Sequence, residues 1–255
     1  MKKLIFILLC FCLMTFGSSA KIIEVAPAGA WGVLGISGGG AVVGGGDVSL
    51  AGTLQTVDAA AFSGSDSITI DADADICVVL ASFYYNYIDA TFDPFVAIGG
   101  ALGGVYDITE LQKSDYQTGA NQIMIGYILQ STIGGTGTQT LYWQYHADTP
   151  PEYGGQILVQ CFDNVNTGDP IDDSDINVVN DQDVTSLTVD AGDMMIGIMG
   201  SDGDMDVSGS SQSVLADSAY GGVYYGVAYK LSASTFDVAS GTLSSQAALT
   251  LNKAP

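Results

Sequence analysis

A chain of 255 residues that is 47% hydrophobic and holds 33 glycines can bury enough apolar surface to offset the entropy of ordering, which excludes a disordered chain. Charged residues make up 13%, about half the usual globular share of roughly 25%, so short strands joined by tight turns are expected and long solvated helices are not. With 28 acidic residues against 6 basic ones and a formal net charge of −22, the chain cannot neutralise a phosphate backbone, and nucleic acid and anionic membranes are excluded as partners.

Residues 1–20 have the pattern of a secretory signal peptide. Lys2 and Lys3 give a positive start, residues 4–16 an apolar stretch too short to span a bilayer as a helix, and Ser18, Ser19 and Ala20 a small-residue exit before Lys21. The expected location is therefore secreted, extracellular or at the cell surface, with the mature form away from membrane. Loss of Lys2 and Lys3 leaves the remainder still more acidic, a surface suited to salt, where screening over ~8 Å or less weakens self-repulsion. Residues 21–65 form a Gly- and Ala-rich N-terminal arm or first strand. Trp31, Val33, Leu34 and Ile36 precede the glycine runs 38–40 and 44–46. Such a segment either folds back on its own domain or adds a strand to the edge of a neighbouring copy.

Residues 66–255 carry the strand pattern of a β-sandwich domain. An internal echo marks it: the run S-I-T-I-D-A-D-A-D-I-C-V-V-L at 67–80 resembles S-L-T-V-D-A-G-D-M-M-I-G-I-M at 186–199. Each is a short alternating arm, an Asp/Ala/Gly turn and a longer apolar arm. Alternation places Ile68 and Ile70, or Leu187 and Val189, on one buried face, and the continuous second arm predicts a strand covered on both faces. Each unit is thus a hairpin or a corner between two sheets. Residues 107–116 have weak helical spacing at Ile108 and Leu111. Residues 122–130 and 138–146 predict two strands around a glycine-rich turn, with Leu141, Trp143 and Tyr145 on one face and Tyr142, Gln144 and His146 on the other. Further strands are expected at 156–162, 222–231 and 243–251. The fold class is all-β, an antiparallel two-layer β-sandwich preceded by the signal peptide and the arm.

Several segments in this order carry a resemblance: the run 67–80, Gly103-Gly104-Val105-Tyr106, Tyr127-Ile128-Leu129 before a Thr-Gly turn, the corner from Phe162 to Pro170, and the unit 186–200. Over residues 65–253 the chain resembles a jelly-roll-type β-sandwich module of unassigned function found in secreted bacterial surface proteins and phage structural proteins. The resemblance implies a jelly-roll-like fold and an extracellular structural or adhesive setting, and it brings no catalytic residues.

Chemistry-bearing sets are sparse in the sequence. His146 is the single histidine, so a nucleophile has little choice of base, and Glu24, Glu110 and Glu152 do not pair on strands as a glycosidase requires. No enzyme activity is expected, and no cofactor other than calcium. Asp202, Asp204 and Asp206 place carboxylates at every second position and are the candidate calcium ligands. Cys77 and Cys161, each within an apolar run, either pair as a disulfide or stand as two buried thiols. Adjacent aromatic residues must expose some rings, which makes Tyr84, Tyr85, Tyr142, Trp143, Tyr145, Tyr224 and Tyr225 the candidate ligand-binding surface. Two roles follow. One is a secreted, non-catalytic structural or cell-surface component that self-assembles as a homo-oligomer or filament through N-terminal strand addition. The alternative is a lectin-like module that binds extracellular polysaccharide with calcium.

Overall fold

The computed structural model describes residues 46–59, 63–84, 95–99, 105–113, 121–144, 154–177, 187–201, 206–207, 212–220, 223–231 and 245–255. Residues 1–45, which hold the expected signal peptide (1–20) and most of the segment 21–65 expected as an arm or first strand, lie outside them. The strands in chain order are β1 (Ser49–Ala59), β2 (Ser63–Ile70), β3 (Ile76–Tyr84), β4 (Phe95–Gly99), β5 (Val105–Asp107), β6 (Thr109–Lys113) and β7 (Asn121–Leu129). A single helical turn, α1 (Gln130–Ile133), leads to β8 (Gly137–Gln144), β9 (Gly154–Asp163), β10 (Ile171–Asn177), β11 (Met194–Ser201), β12 (Ser213–Tyr220), β13 (Val223–Lys230) and β14 (Ser245–Leu251).

These strands form three antiparallel sheets. A central sheet runs β1-β9-β3-β7-β6, a second five-stranded sheet runs β10-β14-β11-β13-β12, and a four-stranded sheet runs β2-β8-β4-β5. Side chains alternate along a strand, and β3 uses both directions. Ile76, Val78 and Leu80 pack with Met194, Ile196, Ile198, Leu249 and Leu251 of the second sheet. Cys77, Val79, Ala81 and Phe83 pack with Ile68, Ile70, Val96, Ile98, Leu141 and Trp143 of the four-stranded sheet. The central sheet is therefore covered on both faces, which is why β3 reads as an unbroken apolar run. The expected all-β, sandwich-like stacking is present, but the two-layer expectation is corrected to three sheets. The extra layer comes from strands inserted in the connections of the first half, and without it the second apolar face of β3 would meet water.

The two five-stranded sheets are built to one plan. Taken in chain order, the strands of the central sheet (β1, β3, β6, β7, β9) lie side by side as first, fifth, second, fourth, third, and β10 to β14 lie in the same sequence. The register repeats too. Ile76 sits opposite Phe162 and Leu129, Leu80 opposite Leu158 and Ile125, while Met194 sits opposite Leu251 and Ile198 opposite Ala247 and Val227. The echo in the sequence is thus the second strand of each half with the turn that enters it. In the first half the preceding arm is β2, whose Ile68 and Ile70 cover the outer face of the central sheet. In the second half Leu187, with Val189 beside it, packs on Met195, Met199, Ala228 and Ala248 on the outer face of the second sheet.

Equivalent chain tails meet where the halves join. Val165 and Lys253, each just past the fifth strand of its half, form an antiparallel bridge, with the Ala254 N–H donating to the Asn164 carbonyl at 2.8 Å and the Asn166 N–H to the Asn252 carbonyl at 2.9 Å. Reciprocal contact of like segments is what a twofold relation produces. Each bridging residue is also held by an aspartate that opens the second strand of its own half. Asp75 Oδ2 accepts the Val165 N–H at 3.0 Å, and Asp193 Oδ1 accepts the Lys253 N–H at 2.9 Å. Gly192 (φ 97°) lets the turn pass: a Cβ there would lie 2.5 Å from Lys253 Cδ. Asp193→Ala is expected to cost about 1–3 kcal/mol, because a backbone donor loses a charged acceptor at a buried position, with Asp193→Asn costing less. Urea unfolding of the two variants measures the difference.

One further expectation is corrected. Residues 109–113 are the strand β6, paired with β7 around a bulge between Glu110 and Gln112, not a helix.

Candidate functional site

The aromatic candidates divide by strand parity. Trp143 is 7% exposed and turns into the core beneath the four-stranded sheet, where its ring lies against Gly64 of β2, so close that a Cβ at Gly64 would be 2.3 Å from Cζ2. Its neighbour Tyr142 points the other way and is 37% exposed. Tyr225 is 3% exposed in the core between the two five-stranded sheets, and Tyr224 on the opposite face is half-buried. Tyr84 ends β3, while Tyr85 and Tyr145 lie outside the described residues. Trp143 and Tyr225 thus supply packing, Tyr224 is half-buried and already engaged, and of the candidates whose side chains are described Tyr142 is the exposed one.

Burial pushes the Tyr225 phenol above its ordinary pKa; a hydrogen bond with the Ser218 side chain opposes the shift, and the Asp58 carboxylate adds to it. The sign follows from linkage: an acid whose folded pKa is raised contributes stability below its unfolded pKa and loses it as pH rises toward the folded value. Stability should therefore fall on raising the pH above about 10, and Tyr225→Phe should flatten that fall. Denaturant midpoints measured across alkaline pH test this.

Of the calcium candidates, Asp202 and Asp204 lie outside the described residues. Asp206 is half-buried and already engaged. Among the described residues, no group of three or more His, Cys, Asp or Glu side chains is placed to hold a metal ion. The acids at the first echo turn bond the backbone instead. Asp71 Oδ1 accepts the Asp73 N–H at 3.2 Å, and Asp75 holds Val165. Near the second turn, the exposed Asp172 carboxyl is shifted above its ordinary value, by slight desolvation first and then by the negative charges of Asp190, Asp193, Asp173 and Asp169.

Cys77 of β3 and Cys161 of β9 are register partners in neighbouring strands and are joined as a disulfide across 84 residues of sequence. The bond lies in the core that faces the four-stranded sheet.

An open cleft of about 410 Å³ lies where β1 bulges away from β9, lined by Gly52, Thr53, Gln55, Thr69 and Asp71. The Gln55 side chain acts as a substitute neighbouring strand for β2: its Nε2 donates to the Thr69 carbonyl at 2.5 Å and its Oε1 accepts the Thr69 N–H at 2.6 Å. Gly52 (φ 74°) is the residue that lets β1 turn toward Asp71. The cleft offers hydroxyls and one carboxylate to a polar solute, with no base beside a nucleophile. Nothing in the local sequence signals it, because Gln55 and Thr69 meet only once β1 and β2 have entered different sheets.

No protein-family model matches the chain, and no curated protein matches it. Among solved structures, it is similar to a chain of the infectious bursal disease virus Gx strain at 12% identity, covering 78% of this chain and 42% of that one with a TM-score of 0.26. It is similar to the VP2 subviral particle of infectious bursal disease virus at 11% identity, 81% and 40% coverage and a TM-score of 0.28. It is also similar to T=1 particles derived from that virus at 11% identity, 82% and 40% coverage and a TM-score of 0.29. The chain spans about two-fifths of the length of these chains. At such scores the likenesses carry no functional argument.

Proposed function

We propose that this protein is an exported, non-catalytic structural component that associates with copies of itself outside the cell or at its surface. One observation carries the reading: the polar side chains at the joints of the fold bond its own backbone. Asp75 and Asp193 hold the strand tails, Gln55 holds β2, and Gln112 of β6 donates to the Ser174 carbonyl and Oγ of β10 at 3.2 Å, tying the two five-stranded sheets edge to edge. A catalytic site keeps such groups available for substrate; here they fasten a rigid body. The expected product of export is a chain that starts at Lys21, which N-terminal sequencing of the secreted protein checks.

Light scattering and negative-stain microscopy over a range of protein concentrations test the self-association, and a strict monomer throughout would refute it. The competing role, a polysaccharide-binding module using Tyr142 and calcium, predicts retention on a glycan array that chelation abolishes. The structural role predicts no such retention.

A further inference from the structure

We infer that this protein cuts its own chain at the Asp169–Pro170 peptide bond, with the Asp169 carboxyl as nucleophile and the Asn252 side chain as donor to the carbonyl oxygen. The cut is a single-turnover modification and does not depend on the self-association proposed above.

The bond stands at a boundary. Asp169 and Pro170 lie between β9, the last strand of the first half, and β10, which opens the second half at Ile171. Proline changes what the aspartate before it can do. Elsewhere in this protein an aspartate carboxylate accepts the N–H of the residue that follows: Asp66 from Ser67, Asp163 from Asn164 and Asp175 from Ile176 at 2.7 Å, and Asp173 from Ser174 at 2.8 Å. Pro170 has no N–H to give, so that anchor is closed to Asp169. The residue is exposed, and its carboxyl is free to turn onto its own carbonyl carbon.

The fold holds that carbonyl in place. Asn252, just past β14, donates from Nδ2 to the Asp169 carbonyl oxygen at 2.9 Å, and its backbone N–H donates to the Pro170 carbonyl at 3.0 Å. The loop is fixed in turn: the Asn166 N–H donates to the Asn252 carbonyl at 2.9 Å, and the Asp169 N–H to the Asn166 carbonyl at 3.1 Å. One asparagine from the end of the second half thus grips the carbonyls on either side of the proline nitrogen. A donor already aimed at the oxygen that gains charge needs no reorganisation when the charge develops.

The step balances with water alone. An oxygen of the protonated Asp169 carboxyl adds to the Asp169 carbonyl carbon, and the carbonyl π pair moves onto the oxygen held by Asn252. The carboxyl proton passes to the Pro170 nitrogen, the C–N bond breaks, Pro170 leaves as a secondary amine, and a cyclic anhydride remains at Asp169. Water opens the anhydride to the side-chain carboxyl and a free α-carboxyl. Nothing is oxidised or reduced. The two pieces stay together, since the core between the five-stranded sheets and the Val165–Lys253 bridge join them without the loop.

The sequence supplies an internal reference in its other Asp–Pro bond, Asp93–Pro94, which lies outside the described residues. The test follows the full-length protein by intact mass and denaturing gels at matched acid pH, folded and in urea, with circular dichroism to establish folding. The expected result is a fragment that begins at Pro170 and forms roughly tenfold faster in the folded protein than in urea, less than the effect of an oxyanion donor in a water-excluded site. Its rate should be unchanged by dilution and should rise as the pH falls, because the carboxyl must carry the proton it hands to nitrogen. Asp169→Ala should abolish the fragment. Asn252→Ala should slow it roughly tenfold and leave cleavage at Asp93–Pro94 as it was. Equal rates in the folded and urea-unfolded protein would reduce the bond to the lability of any Asp–Pro pair and overturn the inference. A folded Asn252→Ala variant that cleaves like the wild type, or a wild type that stays whole, overturns it as well. The comparison between folded protein and urea needs the wild type alone, so it decides the case even if a variant does not fold.

Discussion

Breaking the Cys77–Cys161 bond should lower the unfolding free energy by about 2–4 kcal/mol, the usual range for a native disulfide. The bond closes a segment with a sequence separation of 84 residues, for which loop-closure entropy gives about 4–5 kcal/mol, reduced wherever the unfolded chain keeps residual structure. The effect should be large because of where the bond sits. It joins β3 and β9, neighbouring strands that both contribute to both cores of the central sheet, so it shortens the search for a long-range pairing in the first half. Cys77→Ala/Cys161→Ala is the cleaner variant, since Ser would bury a hydroxyl at a fully apolar position. Urea unfolding of the oxidised, reduced and double-Ala proteins measures it. An unchanged midpoint with an unchanged slope would mean that the bond does not restrain the unfolded chain. The bond also fits the export reading, because such bonds persist in oxidising compartments.

Much of the strand content was legible because burial leaves a local mark. The unbroken runs at β3 and β11 announce cover on both faces, and the alternation at Ile68 and Ile70 announces one buried face. Strand order was not legible. β1 pairs with β9 and β2 with β8 across long stretches of chain, and no short window of sequence records which distant strand lies next door. The common plan of the two halves was therefore visible only as one echo, its second strand, and the third sheet was hidden in the connections. The helical spacing at Ile108 and Leu111 has a specific cause. Three residues apart on extended chain, side chains point to opposite faces, and both faces of the central sheet are apolar here. Ile108 packs on the core facing the four-stranded sheet and Leu111 on the core facing the second sheet.

The acids show the same limit. Asp75 and Asp193 stand in turns rich in Asp, where local bonding or a cation is the natural reading, yet their carboxylates reach N–H groups 90 and 60 residues away. For the aromatic pairs, adjacency implied that one ring of each turns inward. The register decided that Trp143 and Tyr225 do so.

Leu80→Ala and Ile198→Ala should each cost about 2–5 kcal/mol, and both should lower the same melting transition. The two residues occupy equivalent positions in β3 and β11, each fully buried in the core that glues the two five-stranded sheets. Truncation removes apolar contact on one side and leaves a cavity that neither sheet can close, since each is pinned by its own ladder and by the tails bridged at Val165 and Lys253. A loss of this size is a large part of the roughly 5–15 kcal/mol that holds an ordinary domain together. If the halves form one cooperative body, calorimetry shows a single peak that shifts down with either substitution, although Ile198 lies in the second half and Leu80 in the first. Two peaks, one of them insensitive to Ile198→Ala, would show that the halves unfold independently. The shared core would then be an adhesion between separate units, and the twofold join at the strand tails would contribute little to stability.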